Sequence, residues 1–193
     1  MNDVEMVGCI CPSSHLNKMK ELKDEMGDNC KVYCETGILY GGSMILQMKS
    51  STPCYFIGID LFSGYYGKSY DPHRKVDLTD HIEIVKNNIN NNNPHNHKYE
   101  LIKGDSKDKN ICDKINKKID FLFIDGDHSK EGVTKDFINL KDKVNKNGLI
   151  LFDNYSDNAW PEVKPAVDEI CDKYSNEFCI KLIVGNCLVL KKL

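Results

Sequence analysis

Four short apolar runs, KVYCET at 31–36, CYFIGID at 54–60, IDFLFID at 119–125 and GLILFDN at 148–154, each close on polar or acidic side chains. Their apolar positions are nearly continuous rather than alternating, which suits strands buried on both faces of a parallel sheet. Between the runs the period lengthens. Leu78, Ile82, Val85 and Ile89 fall on one face of a helix, and Val133, Phe137, Leu140 and Val144 on one face of another. A further strand is predicted at KYELIKGDS, 98–106, and a further helix at PEVKPAVDEICDKY, 161–174. Alternating strand and helix predict the doubly wound α/β class, a mostly parallel sheet with helices on both faces. The chain end departs from this. FCIKLIVGNCLVLKKL reads as two strands joined at Gly185-Asn186, an antiparallel hairpin near one sheet edge.

Ligands of such sheets bind outside the carboxyl ends of the strands, where the strand order reverses. Glu35, Asp60, Asp105, Asp125 and Asp153 all end strands, so five acids gather on one rim. Singly, each has an ordinary reading as a turn or cap residue. The loop ETGILYGGS, 35–43, brings Gly37, Gly41 and Gly42, which permit a tight turn and close backbone approach to a ligand at a helix N-terminus. Its spacing is not the GxGxxG of dinucleotide folds. Asp60 follows roughly 20 residues on, where a carboxylate can accept hydrogen bonds from ribose hydroxyls. Loop and acid together imply a nucleoside-containing cofactor. GYYGKS at 64–69 has Phe62 where a P-loop needs its first glycine, so ATP is not expected there.

Composition narrows the partners. A chain of 193 residues suits one domain, here a helical N-terminal segment over 1–29 and a Rossmann-like core over 30–193. A net charge of −3, with no concentrated basic run, gives little drive toward nucleic acid or anionic membrane, so a small molecule is the expected partner. The sequence shows neither a secretion signal nor a membrane-spanning run, and a soluble, cytoplasmic protein is expected. Nine cysteines include no CxxC pair. Cys34, Cys54, Cys179 and Cys187 lie in strand-like runs as small hydrophobes, and structural zinc is not expected. NNINNNNPHNH, 87–97, reads as a helix end running into a solvated polar loop rather than a metal site of His95 and His97.

Five segments, VYCETGILYGGS, FIGIDLF, IKGDS, FLFIDGDHS and GLILFDNY, occur in the order that resembles the class I S-adenosylmethionine (SAM) dependent methyltransferases. Within that class the chain resembles the small metal-dependent O-methyltransferases and related sugar methyltransferases, over roughly residues 30 to 175. The resemblance implies a seven-stranded sheet with an antiparallel terminal strand, in agreement with the hairpin. It implies that Glu35, Thr36, Gly37 and Ser43 line the methionine end of SAM, while Gly41 and Gly42 are cofactor-binding candidates from the loop itself. Asp60 would hold the ribose, and Asp105 and Ser106 would border the adenine. It also implies a divalent cation, Mg²⁺, Mn²⁺ or Ca²⁺, on Asp125, Asp153 and Asn154. Two carboxylates and an amide oxygen are hard ligands suited to such a cation.

The family often carries lysine three residues after the metal-binding aspartate, and some sugar-modifying members carry histidine. This chain has His128, whose ordinary pKa of about 6.5 suits a general base, with Lys130 as the fallback. Histidine here favours a sugar or vicinal diol over a catechol as the hydroxylated acceptor. Asp127 touches SAM, assists the metal or orients His128; its spacing does not decide among these. Acceptor contacts are expected from residues 1–20, the 61–77 loop and NYSDNAWPE, where Trp160 either walls the acceptor pocket or packs in the core at a helix start. A homodimer is compatible with all of this. Rival readings are a metal-independent methyltransferase acting on nitrogen or RNA, a SAM-binding module without turnover, and, behind both, a nicotinamide dehydrogenase.

Overall fold

The computed structural model describes residues 14–64, 68–72 and 75–193. Helix α1 (Ser14–Met26) leads into strand β1 (Val32–Thr36), helix α2 (Gly42–Met48) and strand β2 (Tyr55–Asp60). A small antiparallel pair, β3 (Tyr70–Asp71) and β4 (Val76–Asp77), precedes helix α3 (Ile82–Asn91) and strand β5 (Tyr99–Lys103). Then come helix α4 (Lys109–Cys112), strand β6 (Ile119–Ile124), helix α5 (Lys130–Leu140), strand β7 (Val144–Phe152) and helix α6 (Val163–Lys173). Strands β8 (Phe178–Val184) and β9 (Cys187–Lys192) form the terminal hairpin, turning at Gly185 and Asn186.

The sheet order is β5-β2-β1-β6-β7-β9-β8. The first five strands of that order run parallel, and β9 joins β7 antiparallel with β8 outside it. The expected doubly wound, seven-stranded sheet with an antiparallel C-terminal hairpin is therefore what forms. From β1 the chain winds outward through β2 and β5, then returns to place β6 on the other side of β1. The order reverses between β1 and β6, and a crevice opens outside their carboxyl ends.

Every residue of β6 is buried. Phe121 and Phe123 face a core shared with Met19 and Leu22 of α1, Ile45 of α2 and Val85 of α3. Leu122 and Ile124 face the opposite core, with Phe137 of α5 and Val167 of α6. Each such side chain contributes about 1.5–3 kcal/mol through burial, so a strand apolar on both faces is fixed in depth and register.

Some boundaries differ from the sequence reading. Val144 fits the helical period of α5, yet α5 ends at Leu140 and Val144 opens β7. Leu78 precedes α3 and is still buried. Cys34, Cys54 and Cys187 are buried as expected, but Cys179 is exposed on the edge strand β8. His97 is not solvated: it is buried, with its ring 2.8 Å from the Ser50 carbonyl oxygen. No helix among the described residues is long and apolar enough to cross a membrane. Of the expected acceptor-contact segments, residues 1–13, 65–67 and 73–74 lie outside the described residues.

Candidate active site

A cleft of about 830 Å³ occupies the crevice at the strand-order reversal. Its walls include Gly37, Gly42 and Ser43 from the first loop, Asp60 from β2 and Asp105 and Ser106 after β5. Asp125, Asp127 and His128 enter after β6, and Asp153 and Asn154 after β7. That volume lies in the upper part of the usual range for small-molecule sites.

Gly37 makes the cleft floor possible. Its φ is +81°, and a β-carbon there would stand 2.0 Å from the carbonyl oxygen of Asp125. Only glycine lets the β1 and β6 loops touch this closely. Three residues of the same motif lie behind the wall rather than on it. Glu35 and Thr36 are fully buried, and Gly41 packs toward Val85 of α3. Glu35 accepts a hydrogen bond from the Tyr33 hydroxyl at 2.5 Å and another from Ser43 Oγ, so it braces β1 against the start of α2. Burial pushes its pKa up to about 8 against the pull of those two donors.

Asp60 reaches the cleft but is already heavily engaged. Oδ2 accepts from the backbone amides of Ile38 at 2.6 Å and Leu39 at 3.0 Å, and Oδ1 from Phe62 at 2.6 Å. Of its roughly four acceptor positions about one remains. The acid expected to bind ribose is therefore also the clamp that shapes the glycine loop.

The tips of β6 and β7 bring two carboxyls together. Ligand atoms of Asp125, His128 and Asp153 all lie within 4.8 Å of one another. Loss of water and the neighbouring Asp153 raise the Asp125 pKa well above the ordinary carboxyl value. His128 Nε2 is 3.3 Å from Asp125 Oδ1, and the ring stacks on Trp160 with centroids 4.6 Å apart at 25°. Burial lowers the His128 pKa, opposed by the charges of Asp153 and Asp127 and by a hydrogen bond with Asn154. Asn154 takes a left-handed φ of 55°, a region that asparagine tolerates, and its Nδ2 donates to Asp157 at 3.1 Å. Trp160 packs against the core and also lines the cleft.

Lys130 does not belong here. It opens α5, pairs with Glu169 of α6 and is not among the residues that line the cleft. Asp127 accepts from Ser129 N at 2.9 Å and from Lys107 Nζ at 2.8 Å, which commits it to shaping its loop. Lys107 is a cleft residue that sequence reasoning missed; only its place two residues after Asp105 hinted at it. Asp136 was missed too. It is buried beneath Gly126 and beside Thr36 and Ser106, and burial raises its pKa to about 6. Neither of its carboxyl oxygens makes a hydrogen bond of good geometry.

A family model described as "Methyltransferase domain" matches residues 34–155, the span that carries the glycine loop and the acidic strand tips. The chain belongs to the class I SAM-dependent methyltransferases. Similar to this methyltransferase is uncharacterized protein R132 of Acanthamoeba polyphaga mimivirus, 33% identical over 160 residues, covering 81% of this chain and 66% of that protein. The chain thus spans just under two thirds of the relative it matches. Among solved structures it is similar in fold to the O-methyltransferase NovP, with TM-score 0.73, 22% identity and coverage of 93% of this chain and 79% of that one. CalS11, a TDP-rhamnose 3'-O-methyltransferase of calicheamicin biosynthesis, gives 0.65 and 15%, over 92% and 78%. MycE of the mycinamycin pathway, in complex with Mg and SAH, gives 0.59 and 18%, over 92% and 48%.

Proposed function

We propose that this methyltransferase transfers the SAM methyl group to a hydroxyl of a small polyhydroxylated acceptor, a sugar or vicinal diol, with a divalent cation at Asp125, Asp153 and Asn154. The observation that carries the proposal is the meeting of the Asp125 and Asp153 carboxyls at adjacent strand tips. Two like charges this close repel, and burial first, with that repulsion added, raises the Asp125 pKa. A cation removes the repulsion. The oxygen donors suit Mg²⁺, Mn²⁺ or Ca²⁺, and two carboxylates with one amide leave positions for adjacent acceptor oxygens. When bound, such a cation supplies positive charge that lowers the pKa of an acceptor hydroxyl.

SAM brings the electrophilic methyl group. Gly37, Gly42 and Ser43 would meet its methionine end, Asp60 its ribose, and Asp105 and Ser106 its adenine. Leu61, 54% exposed on the cleft wall, offers apolar surface to a purine. The His128 ring, held between Trp160 and Asp125, is neutral near neutral pH and takes the acceptor proton. Trp160 excludes water on one side and offers a flat apolar face to a sugar ring. The protein's main contribution is alignment, since in-line displacement needs oxygen and methyl carbon held about 3 Å apart.

CalS11 methylates a nucleotide sugar, which favours a sugar hydroxyl over nitrogen or RNA as the acceptor, and MycE binds Mg, which favours a cation here. A second use of His128, as third cation ligand in place of Asn154, is favoured by the same 4.8 Å cluster. We read the partner as a small molecule rather than nucleic acid or membrane, in a soluble cytoplasmic setting and with a homodimer allowed. Methyl transfer from labelled SAM to a panel of nucleotide sugars, free sugars and diols tests the proposal. Product on at least one polyol is expected. SAM binding by calorimetry with no product on any acceptor would favour a binding module instead.

A further inference from the structure

Asp153 has a second set of neighbours, from α1 and β9. His15 Nε2 of α1 lies 3.5 Å from Asp153 Oδ1, and Cys187 Sγ, at the start of β9, donates to the same oxygen at 2.9 Å. The three donor atoms lie within 4.8 Å of one another. Three elements distant in sequence meet here. The hairpin turn presses against His15, since a β-carbon on Gly185 would stand 3.0 Å from His15 Cβ, and Gly185 itself takes φ +58°.

We propose that His15, Asp153 and Cys187 form a second cation site, selective for zinc or a similar borderline transition metal and distinct in chemistry from the oxygen site beside it. The donor set decides the metal. Imidazole nitrogen, thiolate sulfur and carboxylate oxygen are the ordinary ligands of tetrahedral zinc, whereas Mg²⁺ has little affinity for sulfur. Donor atoms around one tetrahedral zinc stand about 3.3–3.8 Å apart, given bonds of 2.0–2.3 Å. The 3.5 Å pair already fits, and the 2.9 Å contact opens slightly once the S–H hydrogen bond is replaced by coordination. On binding, the Cys187 thiol releases its proton to solvent, and His15 coordinates through the lone pair of a neutral ring. Three protein ligands leave a fourth position open to water.

The site shares Asp153 with the cation site described above, but His15 and Cys187 belong to it alone, and it does not depend on which reaction the cleft performs. A metal there would fasten α1 to the tips of β7 and β9, so metal binding and thermal stability are linked. The sequence reading took Cys187 for a small hydrophobe because it has no CxxC neighbour; the fold supplies its polar partners.

The test uses the full chain stripped of metal and titrated with Co²⁺ as a coloured substitute for zinc. Wild-type protein is expected to develop the near-ultraviolet band of thiolate-to-cobalt charge transfer, displaced by Zn²⁺ and not by Mg²⁺, and Zn²⁺ is expected to raise the melting midpoint. Cys187→Ser keeps a hydrogen-bond donor to Asp153 but no thiolate, and His15→Asn alters a different element; each should weaken Co²⁺ binding more than about tenfold and abolish the zinc-induced stabilisation. No thiolate band in the wild-type protein overturns the proposal. So does an equal band in folded Cys187→Ser protein, which would assign the binding to other cysteines.

Discussion

Gly37 and Asp125 touch so closely that the space above Gly37 Cα, where any other residue carries its β-carbon, is filled by the Asp125 carbonyl oxygen 2.0 Å away. The contact joins the loop after β1 to the loop after β6 at the point where strand order reverses. Gly37→Ala adds both a steric collision with backbone and a left-handed φ that alanine resists. Together these should cost at least about 1–3 kcal/mol of stability and displace the SAM-facing loop. Thermal melting and SAM titration check this; a variant with unchanged melting and unchanged SAM affinity would mean the contact is dispensable.

Asp153→Ala removes one of the two converging carboxyls while leaving Gly37, Asp60 and Ser106 in place. Turnover is expected to vanish, with SAM affinity within a few fold of wild type. Calorimetry beside a methyl-transfer assay separates the two. Loss of SAM affinity as large as the loss of rate would move Asp153 into the SAM site.

His128→Ala should lower the rate by about 10² to 10⁴ without unfolding the chain. Because burial lowers the His128 pKa, the neutral ring dominates at neutral pH, and the wild-type rate should fall only on the acid side, below the ordinary histidine value. The variant should lack that acid limb. Lys130→Ala, acting on the ion pair with Glu169, should leave the rate unchanged. A large effect of Lys130→Ala with none of His128→Ala would reverse the assignment.

Glu35 and Asp136, alongside Asp125, set a pH dependence of stability in the ligand-free protein. Glu35 and Asp136 hold their protons to about pH 8 and about pH 6 when folded, but release them near 4.5 and 3.8 when unfolded. The folded state then binds more protons than the unfolded one across these windows, so stability falls as pH rises. Their contribution is complete below the unfolded values and lost as pH passes the folded ones. Urea denaturation from about pH 4 to pH 8 should show a declining midpoint; Asp136→Asn should flatten the lower part and Glu35→Gln the upper. A midpoint rising with pH in both variants and wild type would contradict the buried, protonated state of these groups.

The sheet was legible because β6 and its neighbours are apolar at consecutive positions, a pattern that leaves few options, and because Gly185-Asn186 marks the hairpin. Asp125 and Asp153 were legible as two of five acidic strand ends on one rim, and Asn154 joined them only through the family resemblance. The α5 boundary was not legible, since Val144 satisfies a helical period and opens a strand equally well. Nor can a sequence say which side of a wall a motif residue takes: Glu35, Thr36 and Gly41 neighbour Gly37 in the chain yet point into packing. Lys130 sits two residues from His128, and the start of α5 turns it toward α6 instead. His15 and Cys187 carry no local signal at all, because their meeting with Asp153 exists only once α1 and β9 dock on β7.

The central claim is that the Asp125 and Asp153 carboxyls hold a divalent cation on which methyl transfer depends. Its most direct test is the turnover of metal-stripped protein with SAM and an accepted polyol, measured in chelator and again after Mg²⁺ or Mn²⁺ is restored. The account predicts background rates in chelator and recovery on adding the cation, with no recovery in Asp125→Asn. Equal turnover with and without chelator would contradict it.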